Sequence, residues 1–395
     1  MFIISRNLAI VGCRSLYCEV SRVKRYASTK SSLPHVDEQS IKKSVFISQS
    51  TDIYTNLALE DWFYKNYDFT NHHILLLWRN DPCVVIGRHQ NPWIESNAEN
   101  IDANGITLAR RNSGGGTVYH DSGNLNLSFF TPRERYNRKY NLNIVTRALY
   151  REWGLKSTVN NRDDIVVQGD FKVSGTAAKL GRPNAYHHCT VLVGVNKSIL
   201  NFALERKELG ISTNATESLR SPIKNLIDVN SQIRSDVLLN AIGWEYLRTK
   251  ALTLEDGGHG LVQQQKGFQM INPTEDWFPG INQLANVFRS WNWTYGKTPK
   301  FTVTYILDLP MQNGEVHHAN LNLEVQNGII EEIRITLPEG VVPANFNKDA
   351  SVITNLKGTK YTPAATRDIL AALGCKSVPL NTTQKLGKSN VAATQ

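Results

Sequence analysis

The chain has 395 residues, of which 41% are hydrophobic and 20% charged, a balance that supplies a large buried core and suits two globular domains. Its formal net charge of +9 is concentrated at the start, with +5 in residues 1–30 and +4 in the remainder, so charge makes no case for a nucleic-acid partner. Beyond residue 30 no stretch reaches the ~20 unbroken apolar residues of a membrane span, and a soluble monomer without membrane contact is expected.

The leader MFIISRNLAIVGCRSLYCEVSRVKRYASTK spaces Arg6, Arg14, Arg22, Lys24 and Arg25 among apolar and hydroxyl residues, with Glu19 as its one acid. That acid-poor, amphipathic character predicts a mitochondrial transit peptide over residues 1–28, cleaved between Arg25 and Thr29, and import into the matrix. A secretory signal needs about 7–15 uninterrupted apolar residues, and Leu8 to Val11 are too few. After cleavage Cys83, Cys189 and Cys375 remain, far apart and without a CxxC pair, which argues for reduced thiols and neither disulfides nor a thiolate metal site.

Thr51 or Asp52 is placed to cap a helix with Tyr54, Leu57, Ala58 and Trp62 on one face. ILLLW (74–78) and CVVIG (83–87) read as buried strands joined at Asn80, Asp81 and Pro82. ITLAR (106–110) is a strand running into three glycines, and Leu125, Leu127 and Phe129 alternate with polar residues as a strand beyond them. Helical spacing follows over 141–153, and DIVVQGDFKVSGTAAK with AYHHCTVLVGV predicts a hairpin turning at Gly181, Arg182, Pro183 and Asn184. Helices are expected at 198–209 and 236–250, and GGHGLVQQQK (257–266) as a loose link to a second domain that opens with WNWTYGKTPKF. There Asn327-Gly328 joins two alternating runs as a hairpin, and helices are expected near 346–356 and 362–373. Strands mixed with helices in this order indicate an α+β fold.

The glycine stretch RRNSGGGTVYHD lies between two strands. Rossmann and Walker A loops pass instead from a strand into a helix, and their glycine spacings are absent here. Glycines allow positive φ and close backbone approach, so Gly114, Gly115 and Gly116 can turn their N–H groups toward one anionic or carbonyl oxygen, with Arg111 supplying charge. A glycine-rich bulge without a ligand is the other reading; Arg110, Arg111 and Ser113 favour binding. In GDFKVSGTAAK, Lys172 sits in strand-like sequence beside small residues. It is either a lysine on a solvated face or a mobile point charge for a phosphate or carbonyl oxygen. Asp163 and Asp164, with Arg162 beside them, either orient that lysine or form loop salt bridges.

RRNSGGGTVYHD together with FKVSGTAAKLGRPNAYHHCTVLV resembles the lipoate-protein ligase and lipoyltransferase family. VVIGRHQNPW, LALEDW and WNWTYGKTPKF make it most similar to the mitochondrial lipoyltransferases of animals, over residues 45–373. The resemblance implies a mixed-sheet catalytic domain of the biotin/lipoate ligase type over 45–266, a smaller α+β accessory domain over 275–380, and a disordered tail over 381–395. It implies transfer of a lipoyl group to a lysine on lipoyl domains of the E2 subunits of 2-oxoacid dehydrogenases. Lys172 would be the catalytic cation, and Arg111 and Lys172 would hold the activated lipoyl group. Carried over by position, Gly114, Gly115, Gly116, Thr117, Val118 and Tyr119 would line lipoyl-AMP. Arg162 and Asp164 would contact its nucleotide part, and Thr190 would lie across the hairpin from Lys172. Ser212 to Thr216, with Asn214 and Thr216 as contacts, would close over the phosphate side. An apolar slot for the lipoyl tail is expected from Leu57, Leu76 and Val85.

Related octanoyltransferases work through a cysteine thioester, which draws attention to Cys189 beside His187 and His188. Adjacent strand residues point to opposite faces, so at most one of these histidines shares the face of the Cys189 thiol, and an inert buried thiol is the simpler expectation. No resident cofactor or metal is expected: lipoyl-AMP is a substrate, and Mg²⁺ would enter only with ATP. Lipoyl-AMP or a lipoylated carrier such as the glycine cleavage H protein are the expected donors. Departures from the bacterial ligase motif at Thr117, Tyr119 and Phe171 favour transfer over ATP activation. The remaining alternatives are an ATP-dependent lipoate-protein ligase and a non-catalytic protein that binds lipoyl domains.

Overall fold

The computed structural model describes residues 38–310, 315–337, 355–373 and 376–379. The expected transit peptide, the tail from 381 and most of the helix expected near 346–356 lie outside the described residues.

In chain order the elements are β1 (Lys42–Ser48), α1 (Ile53–Asn66), β2 (His72–Trp78), β3 (Cys83–Ile86), the one-turn α2 (Pro92–Glu95), β4 (Thr107–Arg110), β5 (Val118–His120), β6 (Asn124–Pro132) and α3 (Arg138–Trp153). Then come β7 (Ser157–Val159), β8 (Ile165–Val167), β9 (Phe171–Lys172), β10 (Ser174–Leu180), β11 (Asn184–Leu192), α4 (Lys197–Ala203), β12 (Ile211–Thr213) and α5 (Ser235–Arg248). The described part ends with α6 (Gly258–Gln263), β13 (Gly267–Ile271), α7 (Ile281–Arg289), α8 (Trp291–Thr294), β14 (Phe301–Pro310), β15 (Val316–Gln326), β16 (Ile329–Thr336), α9 (Pro363–Leu373) and β17 (Lys376–Pro379).

Local chemistry sets several boundaries. Asp52 caps α1 by accepting from Thr55 N at 3.0 Å, and Asn137 caps α3 through Tyr140 N at 3.0 Å, each satisfying an orphan amide of a first turn. α3 stops at Gly154, left-handed with φ 64°. Asn327 and Gly328 both hold positive φ between β15 and β16, the tight turn their sequence predicts. The helix expected over 198–209 ends at Ala203. Arg206 beyond it is drawn to Glu95 (3.0 Å) and Ser218 O (2.9 Å), and the chain runs on to pair β12 with β14.

The main sheet has the order β10-β11-β6-β2-β1-β13, parallel at β1–β2 and β1–β13 and antiparallel elsewhere. Its register aligns Trp78, Asn126, Thr190 and Gly175 across four strands, and Leu76, Ser128, His188 and Ala177 in the next row. Directly opposed residues share a face, so this face carries polar groups among apolar ones. The other face presents Leu75, Leu77, Leu125, Leu127 and Val191 to α3 and α5 in one continuous core. A small β4-β3-β5 sheet lies against the first face, and β12, β14, β15, β16 and β17 build the C-terminal sheet.

Two stretches depart from expectation. Residues 257–266, expected to be loose, contain α6. β13 then pairs with β1 at the edge of the main sheet, and α7 lays Ile281, Ala285 and Phe288 into the core beneath α1, so the sheet continues past the break expected at 266. The cause is burial: β1 would otherwise present an unpaired edge.

Candidate active site

β4 delivers two arginines to the glycine loop, and the structure gives them separate tasks. Arg111 is 4% exposed. Its Nε donates to Ser113 Oγ (2.9 Å), its Nη1 to Val85 O (3.0 Å), and its Nη2 to Gly114 O (2.6 Å) and Gly116 O (2.7 Å). Burial lowers its pKa to about 10, which leaves it charged at neutral pH. By drawing these carbonyls to itself the guanidinium turns the loop's amides the other way. Among the described residues, the N–H groups of Gly114, Gly115 and Gly116 have no protein acceptor. Gly115 has φ 86°, and a Cβ on Gly87 would lie 2.1 Å from the Gly115 carbonyl oxygen, so both positions require glycine.

Arg110 is fully buried and, apart from a longer bond from its Nη1 to Gly87 O (3.3 Å), touches none of this. Its guanidinium donates to the carbonyl oxygens of Trp293 (3.1 Å), Thr294 (2.6 Å), Arg88 (3.0 Å) and Gln90 (2.8 Å) and to Thr298 Oγ1 (2.9 Å). It therefore ties the 87–90 turn to the start of the C-terminal segment. The sequence grouped it with Arg111; only the partners separate them.

Lys172 lies on β9, between Pro222 O, which accepts its amide at 2.9 Å, and Lys224 N, which donates to its carbonyl at 3.0 Å. Its Nζ meets Asp164 Oδ1 at 2.8 Å, while Asp163 turns to Arg138 at 3.1 Å. Thr190 is not opposite Lys172 as expected: it pairs with Gly175 and accepts that residue's amide at 3.0 Å. The offset arises because β9 pairs with β8, not β11. Lys172 and Thr190 nevertheless both line two cavities, of about 340 and 510 Å³.

The smaller cavity is bounded at its mouth by Gly115, Gly116, Arg162, Asp164, Lys172 and Thr216. Tyr119 lines only the larger one, and Thr117, Val118 and Thr190 line both. Gly114 shapes the loop from outside the cavities, through its carbonyl. Asn214 is exposed and borders neither, because Ser212 and Thr213 are committed to β12 and its pairing with β14. The segment that does cover the loop is one step later. Ser218 Oγ accepts from Thr117 N (2.8 Å) and Gln90 Nε2 (3.0 Å), and Thr216 N donates to His89 O (3.1 Å). Glu95 anchors it by accepting from Ser218 N at 3.1 Å. Ser218, Gln90 and Glu95 were not singled out from the sequence, where a serine, an amide and an acid in unrelated segments give no signal.

Inward, the smaller cavity narrows to Leu57, Trp78, Val85, His120, Asn126 and His188. Leu57 and Val85 are where the sequence reading put them; Leu76 is instead absorbed in the core with Ile74. A buried polar chain backs the wall. Trp78 Nε1 donates to Ser128 Oγ (3.0 Å), which donates to Glu60 Oε1 (2.6 Å); His188 meets Glu60 (2.8 Å) and, through Nε2, Ser113 Oγ (2.7 Å). Cys189 also borders the smaller cavity, but its side chain packs in the core with Leu127 and Val191, and burial pushes its thiol up to about 12. A thiol so protonated is a poor nucleophile, which agrees with the inert reading.

Two facing sheets enclosing an acyl-sized slot, with a glycine turn and a lysine at its mouth, form a ligase-type α+β catalytic domain. Residues 52–242 match the lipoyl protein ligase A/B catalytic domain. Over 321 residues, 81% of this chain and 82% of the relative, the chain is 40% identical to the mitochondrial lipoyl amidotransferase of Mus musculus. It is 33% identical to the lipoate-protein ligase A of Psychrobacter cryohalolentis, covering 75% of this chain and 83% of that one. The crystal structure of P. falciparum LipL1 in complex with lipoate superposes with a TM-score of 0.55 at 27% identity, covering 84% of this chain and 93% of that chain. The chain belongs to the lipoate-protein ligase and lipoyltransferase family and is an acyl-transferring enzyme.

Proposed function

We propose that this protein is a lipoyltransferase of the mitochondrial matrix. It moves the lipoyl group from lipoyl-AMP, or from a lipoylated carrier such as the glycine cleavage H protein, to the acceptor lysine of lipoyl domains in E2 subunits of 2-oxoacid dehydrogenases. The observation that carries this reading is convergence: Lys172 and the Gly115–Gly116 part of the turn border one cavity, whose buried lining sets Leu57, Trp78 and Val85 beside His120, Asn126 and His188. The relative of Mus musculus, mitochondrial and named for lipoyl amidotransfer, supports both the compartment and the reaction. Residues 45–266, completed by β13, would form the catalytic domain and 275–380 the accessory one, acting as a monomer.

In this reading the lipoyl chain occupies the slot and the nucleotide lies toward the larger cavity, against Thr117, Val118, Tyr119 and Thr190, with Arg162, Asp164 and Thr216 at the mouth of the smaller one. The acceptor amine attacks the acyl carbonyl; the C–N bond forms, the C–O bond to phosphate breaks, AMP leaves with the electron pair, and the amine proton passes to solvent. Negative charge grows on the carbonyl oxygen during attack. A fixed ammonium and preoriented amides stabilise that charge more than they stabilise the ground state. Asp164 holds the Lys172 Nζ in place at 2.8 Å, and Arg111 holds the amides in place through the loop carbonyls.

A second reading is an ATP-dependent ligase that first makes lipoyl-AMP, with Mg²⁺ accompanying ATP; the likeness to a lipoate-protein ligase A supports it. One experiment separates them. The purified protein is incubated with an apo lipoyl domain and, in turn, lipoyl-AMP, lipoylated H protein, or lipoate with ATP and Mg²⁺, and the acceptor is weighed by mass spectrometry. Modification from lipoyl-AMP or H protein but not from lipoate and ATP is expected; modification from lipoate and ATP at a comparable rate establishes the ligase, and none from any donor rejects acyl transfer.

A further inference from the structure

The buried end of the slot carries an inference that rests on the acyl-transfer reading and sharpens it. A chain of amides fixes where one histidine keeps its proton. The two protons of Asn56 Nδ2 are shared among the carbonyl oxygens of Ser50 (2.9 Å) and Arg79 (3.0 Å) and Asn80 Oδ1 (2.9 Å), while Ser48 Oγ donates to Asn56 Oδ1 (2.7 Å). With its oxygen turned to Asn56, Asn80 has its Nδ2 left to donate to His120 Nδ1 at 2.9 Å. A neutral imidazole has one proton, so that of His120 sits on Nε2, and burial, lowering its pKa to about 3, keeps the ring neutral.

That N–H has no acceptor in the protein: His120 Nε2 is buried and unpartnered among the described residues, yet His120 lines the slot. Trp78, whose ring edge meets the His120 ring with centroids 6.1 Å apart, has already given its own N–H to Ser128. The position is the inner end, since Trp78 and His120 are at most 3% exposed whereas Arg162 and Thr216 at the mouth are exposed. An unmet buried donor is costly. A saturated hydrocarbon tail leaves it unmet, whereas a tail ending in a cyclic disulfide brings sulfur lone pairs, which are weak acceptors. We propose that His120 is a specificity-determining residue, donating its Nε2 proton to a ring sulfur at the far end of the acyl group, so that the slot prefers lipoyl over an unsubstituted eight-carbon acyl group. Asn80 is then a positioning residue that sets the tautomer.

The test measures kcat/KM for transfer to an apo lipoyl domain from lipoyl-AMP and from octanoyl-AMP, with wild type, His120→Phe and His120→Gln. The lipoyl-over-octanoyl ratio is expected to fall about threefold to tenfold in His120→Phe, as for loss of one hydrogen bond, and to recover in part in His120→Gln, which keeps an N–H. Because each ratio comes from one variant, partial misfolding cancels. A ratio that does not move in an active His120→Phe overturns the proposal. If that variant yields no active protein, ¹⁵N spectra of histidine-labelled wild type decide: an Nε2-protonated His120 that shifts with lipoate but not octanoate supports it, and an Nδ1 tautomer or an equal response overturns it. A wild type that transfers neither acyl group fails the acyl-transfer reading instead, a different result from an active enzyme with an unmoved ratio.

Discussion

At the scale of single residues, the site separates a cation that borders the cavity from charges that build the loop. Lys172 is half-buried, pinned by one carboxylate and facing a cavity; Arg110 and Arg111 are buried against carbonyl oxygens. Replacing Lys172 with Ala removes the cation and leaves the buried Asp164 carboxylate without its partner, so some loss of stability accompanies it. The expected outcome is transfer reduced roughly a hundredfold or more in a variant that still folds with a lowered urea midpoint, checked by acceptor mass and by unfolding; turnover at the wild-type rate in a folded variant would remove the catalytic assignment. Lys172 and the glycines were picked out in the sequence because they stand in two motifs, RRNSGGGTVYHD and GDFKVSGTAAK, that carry the family resemblance. Ser218, Gln90 and His120 were not, since each acts through a partner that folding brings from a distant segment.

At the scale of elements, the glycine loop stands because two segments hold it from behind: α8 with its following turn, through Arg110, and the 216–218 strap, through Ser218 and Glu95. Arg110→Gln would leave most of five buried acceptors without a donor. Hydrogen bonds to charged groups are worth about 1.5–3 kcal/mol each, so a loss on the order of 3 kcal/mol is expected, with transfer falling alongside. Arg110→Lys should not restore either, because a single ammonium cannot match the planar fork. Urea unfolding and transfer rates of both variants check this; a lysine variant equal to wild type would refute it. The sequence placed WNWTYGKTPKF at the opening of another domain, and its bonds to the loop became visible only once Trp293 Nε1 was seen donating to Arg110 O at 2.7 Å.

At the scale of the whole molecule, burial of histidines couples stability to pH. Burial lowers His73 and His120 to about 3 and His187 well below its usual range. The folded state therefore binds fewer protons than the unfolded state below the ordinary histidine pKa of about 6.5. The stability these residues allow is complete above that value and is lost as pH falls from about 6.5 toward 3, at up to about 1.4 kcal/mol per pH unit for each histidine. A lower urea midpoint at pH 5.5 than at pH 7.5 is expected, and equal midpoints would contradict it. The sequence by itself determined most element types, the glycine loop between strands and the α+β class, because strand alternation, helix spacing and turn residues are short-range patterns; the role expected of Lys172 came from the family resemblance. Tertiary structure alone decided that β13 completes the main sheet, that Arg111 orients the loop while Arg110 ties it down, and that His120 keeps its proton on Nε2. Each of these depends on a pairing between residues far apart in the chain, which local composition does not encode.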